Sequence, residues 1–167
     1  MKEFARTVRR GTVVAIGTVI AASAVSLPAS AGIHGKWESR ETGGKCWAAT
    51  TPVSSTGAAS GRGPAYLSIQ NHPSEGVRGS VAVVSGTKET AKGDVAVEVD
   101  GARFEMLPFD DAAFARSGAP EAALIAAMRK GREMTVTWTL PSGQRVIDRY
   151  SLDGFSAAKA AIDRNCQ

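Results

Sequence analysis

Two cysteines, two histidines, one adjacent acid pair and one Gly-Gly-Lys turn are the groups in this 167-residue chain whose type and spacing could do chemistry. Cys46 and Cys166 cannot supply a four-thiolate zinc or iron-sulfur site. They stand too far apart in sequence for a Cys-x-x-Cys redox pair. His34 and His72 have no companion ligands at metal spacing and read as exposed loop side chains. No G-x-S-x-G elbow is present, and a Ser-His-Asp triad would have to borrow one of those loop histidines as its base. Asp110-Asp111 reads as a turn, because a two-carboxylate glycosidase needs acids facing each other across a cleft. Gly43-Gly44-Lys45 lacks the first glycine and the following helix of a phosphate loop, and reads as a tight turn. Arg129, Lys130 and Arg132 cluster where a helix C-terminus would pair them with its dipole. No catalytic residue, metal site or cofactor is expected from this inventory.

The first thirty residues decide the compartment. Lys2, Arg6, Arg9 and Arg10 stand against Glu3, and residues 11–27 form a small, apolar run without charge. Pro28 and then Ala29-Ser30-Ala31 follow, with small residues at the first and third places of an A-x-A triplet. This is the pattern of a cleaved secretory signal peptide, residues 1–31. The cut is expected after Ala31, leaving Gly32 first and a single domain over 32–167. The run is at the short limit for a membrane span and poor in leucine, so no stable span is expected after cleavage.

Removal of the signal changes the charge. The chain holds 20 basic and 16 acidic residues, net +4, and four of the former and one of the latter belong to the signal. The remaining domain is +1, which removes the electrostatic case for a nucleic-acid partner. Export also gives the cysteines a role. An even count in an oxidising compartment predicts a Cys46–Cys166 disulfide that joins the two ends of the domain.

The elements that must carry these residues are short. Trp37 to Arg40 and Lys45 to Thr50 read as strands around the Gly43-Gly44 turn. Residues 52–64 read as a loop, 65–70 as a strand, 71–79 as a loop and 80–85 as a strand. Val95, Val97 and Val99 alternate into Asp100-Gly101 and the return strand 102–107, a two-residue hairpin signature. Residues 108–117 read as irregular. Residues 120–130 read as a helix opened by Pro120 and closed by a left-handed Gly131. Met134, Val136, Trp138 and Leu140 alternate with threonines, and residues 144–151 form the partner strand. Phe155, Ala158, Ile162 and Cys166 share one face of a last helix, which turns Cys166 inward. Trp47, Trp138, Phe104 and Phe155 are expected in the core. Seven or eight strands with two helices predict a mainly β fold, an antiparallel sandwich or partly closed barrel.

Several stretches together resemble the invasion-associated locus B family of exported bacterial proteins. They are KCWAATTP at 45–52, VDGARFEML at 99–107, ALIAAMRKG at 123–131 leading into EMTVTW, and DRYSLDGFSAAKAAIDRNC at 148–166. The chain departs from the family pattern at 115–119, where many members carry a further cysteine pair, and at the Pro141-Ser142-Gly143 turn. The resemblance implies an envelope protein of a Gram-negative bacterium, periplasmic or associated with the outer membrane, with no catalytic residues to carry over. The expected function is therefore non-catalytic binding of an envelope or host-surface partner. The alternative is a periplasmic small-ligand-binding protein or hydrolase. A pocket with convergent, perturbed polar groups would favour the alternative. An exposed apolar patch would favour the binding module.

Overall fold

The computed structural model describes residues 31–57 and 62–167. The expected signal peptide, with Ala29 but not Ala31, lies outside the described residues. Ala31 is the first described residue and opens a strand.

Among the described residues eleven strands and two α-helices follow in chain order. The strands are β1 (Ala31–His34), β2 (Trp37–Thr42), β3 (Lys45–Thr50), β4 (Ser54–Thr56), β5 (Tyr66–His72), β6 (Val77–Val84), β7 (Val95–Val99), β8 (Ala102–Phe109), β9 (Ala112–Ala115), β10 (Glu133–Thr139) and β11 (Arg145–Ser151). The helices are α1 (Ala119–Lys130) and α2 (Phe155–Asn165). All pairings are antiparallel within one sheet, in the order β1-β2-β3-β5-β6-β9-β8-β7-β10-β11-β4.

The two ends of this order are joined by a single length of chain. β3 pairs with β2 and β5, and three residues later the same chain becomes β4 and pairs with β11. Val53 N–H donates to Arg149 O at 2.7 Å, and Lys36 N–H to Asp153 O at 3.1 Å. Trp37 Nε1 reaches Ser151 O at 3.1 Å. The sheet thus curls into a partly closed barrel, which leaves few open edges to template aggregation.

Alternation places the core. Val95, Val97, Val99, Met106, Met134, Val136, Trp138, Val146 and Tyr150 point inward from β7, β8, β10 and β11. Leu67, Ile69, Val81 and Val83 do so from β5 and β6. α2 lays Phe155, Ala158 and Ile162 against the β1–β3 side, with the Phe155 ring 5.0 Å from that of Trp37. Cys166 at its end is buried and bonded to Cys46, with Cα atoms 5.9 Å apart, as the exported pair predicts. α1 packs beside β6, β8 and β9, burying Leu124 and Met128. Where β9 stops short of β6, the Glu121 carboxylate of α1 accepts the Val81 N–H at 3.0 Å.

The structure corrects several local expectations. The chain before Trp37, where no strand is expected, forms one: Ala31 to His34 pair residue by residue with Trp37 to Arg40. Hydrogen bonds to a neighbouring strand supply what the apolar pattern lacks. The loop over 52–64 contains β4. The loop over 71–79 is mostly strand, interrupted by a bulge between Gln70 and Asn71 and a 3-10 turn at Pro73–Glu75. The irregular 108–117 is the end of β8 and all of β9, joined by Asp110-Asp111. Gly131 is not left-handed but extended, at φ −78 and ψ 165. Glycine fits there because a Cβ would come within 2.6 Å of Val99 Cγ1. The Asp100-Gly101 turn does have positive φ at both positions, as the hairpin signature requires.

Candidate docking face

The outer surface of β5, β6, β9 and β8 carries a feature that the core pattern does not explain. In β8 the inward residues are Phe104 and Met106, so the same alternation turns Leu107 and Phe109 outward. Register then assembles two rows across four strands. Tyr66, Val84, Ala112 and Phe109 form one row. Ser68, Ala82, Phe114 and Leu107 form the other. Phe109 is 67% exposed, Leu107 42%, Tyr66 40% and Phe114 37%. Single exposed apolar residues are ordinary; here Phe109, Leu107 and Phe114 stand together on β8 and β9, with Tyr66 across the smaller side chains of β6.

The rim is polar. Asp110 and Asp111 follow Phe109 in the β8–β9 turn, with Asp110 at φ 51. A hollow of about 370 Å³ adjoins them, lined also by Pro64, Thr87 and Lys88. On the opposite rim Arg116 is paired with Asp94 at 2.7 Å.

Two polar constellations lie outside the two apolar rows. The Asp148 carboxylate is fully buried and held by Arg62 in a forked pair, Nη1 to Oδ1 at 2.8 Å and Nη2 to Oδ2 at 2.6 Å. Ser55 Oγ donates to the same Oδ1 at 2.6 Å, and Arg62 Nε donates to Ser85 O. The Asp148 hydrogen bonds hold the Arg62 pKa above its ordinary value. Tyr150 is pushed up mainly by burial and further by Asp148. Its hydroxyl has no hydrogen-bond partner among the described residues and sits within the packed core. A second hollow, about 790 Å³, is lined in part by Arg103, Arg116, Arg145, Arg149, Glu98 and Glu105. Three of its four guanidiniums already face carboxylates: Arg103 with Glu98, Arg149 with Glu133 and Arg116 with Asp94. At the first place the Ser55 hydroxyl does meet the Asp148 carboxylate, but both oxygens of that carboxylate are already engaged by Arg62. Among the described residues no group of three or more His, Cys, Asp or Glu could hold a metal.

The residues singled out by sequence separate accordingly. Cys46 and Cys166 meet. Gly43 and Gly44 form the β2–β3 turn. His72 is not a loop residue: it ends β5, its side chain is only 14% exposed, and Nδ1 lies 2.6 Å from Glu75. Arg129 lies 3.6 Å from Asp163 of α2. Trp138 and Phe155 are core, and Phe104 packs partly buried against it. Trp47 is not core: it pairs with Arg40 and Gln70 on the outer face, with the Arg40 guanidinium 5.7 Å above its ring. The sequence reading missed Tyr66, Leu107, Phe109 and Phe114 as a set. The alternation beyond Met106 was the available signal for two of them.

The described residues form a disulfide-stapled, partly closed antiparallel β barrel with apolar side chains on its outer face. A family model described as "Invasion associated locus B (IalB) protein" matches residues 37–163, more than half of the chain, and the chain belongs to that family. This is not a known enzyme family, and at family level it is one of invasion-associated envelope proteins. Family and disulfide together point to an exported protein. No curated protein and no solved structure gives a match. Among the described residues no helix is long and apolar enough to cross a membrane.

Proposed function

We propose that the protein is a non-catalytic binding module of the bacterial envelope. It is exported through a signal cleaved after Ala31 and acts, as the 32–167 domain, in the periplasm or at the outer membrane. Its partner is a protein of the envelope or of a host surface, docked on the face made by Tyr66, Leu107, Phe109 and Phe114. One observation carries the reading: four large apolar side chains stand exposed in register on adjacent strands while the core beneath them is complete without them. Such a face costs solubility unless a partner covers it.

The test is the double variant Phe109→Ser/Phe114→Ser, expressed in the native host. Gradient sedimentation of gently solubilised envelopes should find the wild-type chain in a species heavier than the monomer. The variant should run as a monomer with an unchanged or slightly raised thermal midpoint. Co-sedimentation of the variant with the same heavy species would overturn the reading.

A further inference from the structure

Charge at the docking face is confined to its rim and is net negative. Asp110 and Asp111 are exposed and adjoin Phe109 directly. Glu105 is exposed on the same outward side of β8, two residues before Leu107. Asp94 directly precedes Val95, whose partner is Met106. Against these four acids stand three cations: Arg116, already engaged with Asp94, Arg103, two residues before Glu105 and facing Glu98, and Lys88 beside the Asp110-Asp111 hollow. Asp110 sits at φ 51, a left-handed position that aspartate tolerates in a turn.

We propose that the occupant of the face is an apolar protein segment flanked by Lys or Arg. Its apolar side chains lie across Tyr66, Phe114, Leu107 and Phe109, and its cation enters the hollow beside Asp110 and Asp111. The inference rests on the docking-face reading above and adds the chemistry of the partner. Two other occupants fit less well. An anionic lipid surface meets the acid rim as like charge, and surface-seeking protein faces carry the reverse pattern, apolar residues ringed by Lys and Arg. A second copy brings one net-negative rim against another. The area also falls short: four strands about 4.8 Å apart and two side-chain rows about 7 Å apart give roughly a few hundred Å². A stable dimer needs about 800 Å² from each partner.

The test uses the protein purified from cells that export it and two short synthetic peptides with identical Leu and Trp anchors. One is flanked by lysines, the other by glutamates. Binding is followed by amide NMR shifts. The lysine peptide should move the resonances of Tyr66, Phe109, Asp110, Asp111 and Phe114. Its affinity should fall steadily as salt rises from about 0.01 M to about 1 M. Asp110→Asn/Asp111→Asn should weaken it roughly five- to tenfold, as expected for two rim charges, with no loss of fold. Several results overturn the inference: equal or tighter binding of the glutamate peptide, binding of neither, co-sedimentation with anionic vesicles through these residues, or self-association through them. The gradient experiment with Phe109→Ser/Phe114→Ser is read independently of either peptide. A docking face with a differently charged partner would pass that test and fail this one.

Discussion

Arg62 is the residue on which the interior most depends. Its guanidinium neutralises Asp148, a carboxylate with no exposure to water, and is itself only 9% exposed. A buried pair of this kind adds little net stability over an apolar pair, but removing one member strands a charge. Arg62→Ala should therefore lower stability by about 3–5 kcal/mol, read as a fall in the urea midpoint. Arg62→Met/Asp148→Leu should recover most of that loss. Neither residue stands out in the sequence. Arg62 sits between two glycines in a stretch that reads as loop, and Asp148 occupies an inward strand position where the pattern calls for an apolar residue. Only the register of β11 against β4, which puts Asp148 opposite Ser55, reveals the pair.

At the scale of elements, Glu121 of α1 caps the open edge of β6. Burial raises its pKa, and the Val81 N–H only partly offsets this. The folded state therefore holds the proton more tightly than the unfolded chain. Between the unfolded value, about 4.3, and the raised folded value, this group's contribution to stability falls as pH rises. Glu121→Gln keeps an oxygen for Val81 and removes the titration. Urea midpoints of the variant should gain on wild type as pH rises through that window and stay parallel above it. Asp163 of α2 has the opposite sign. Burial raises it, but Lys159, Asn71 and Arg129 together outweigh burial and hold its pKa low. Its contribution is present above the ordinary aspartate range and lost as pH falls through the lowered value.

The same scale explains what the sequence made legible. Strong alternation and turn chemistry gave the β7–β8 hairpin, β10–β11 and both helices. The misread segments, β1, β4 and β9, are three or four residues long and rich in Gly, Ser or Ala. They are strands because neighbours offer hydrogen-bonding edges, not because their own residues favour it. With β9 unread, Phe114 had no register, and the docking face could not be assembled. Trp47 was misplaced for a related reason. Its size suggests core, whereas alternation within β3 puts Cys46, Ala48 and Thr50 inside and Trp47 out.

Across the whole molecule, the disulfide joins β3 to the end of α2 over 120 residues of chain. In the chain-entropy account a loop of that length contributes about 4–5 kcal/mol. Cys46→Ser/Cys166→Ser should lower the unfolding free energy by up to that amount, with the wild-type protein under reducing agent falling to match. Export and the staple belong together: the bond that closes this domain forms where the signal would deliver it.

In the proposed role, the barrel, its staple and its filled interior hold the outer face of β5, β6, β9 and β8 rigid. Site-specific photocrosslinking in living cells tests that role most directly. A photoreactive phenylalanine at position 114 is compared with one at 137, a β10 position on the outer surface away from the apolar rows. The account predicts one discrete protein adduct from position 114, lost when Phe109→Ser is added, and none from 137. Equal labelling from both positions, or adducts from 114 that survive Phe109→Ser, would contradict it.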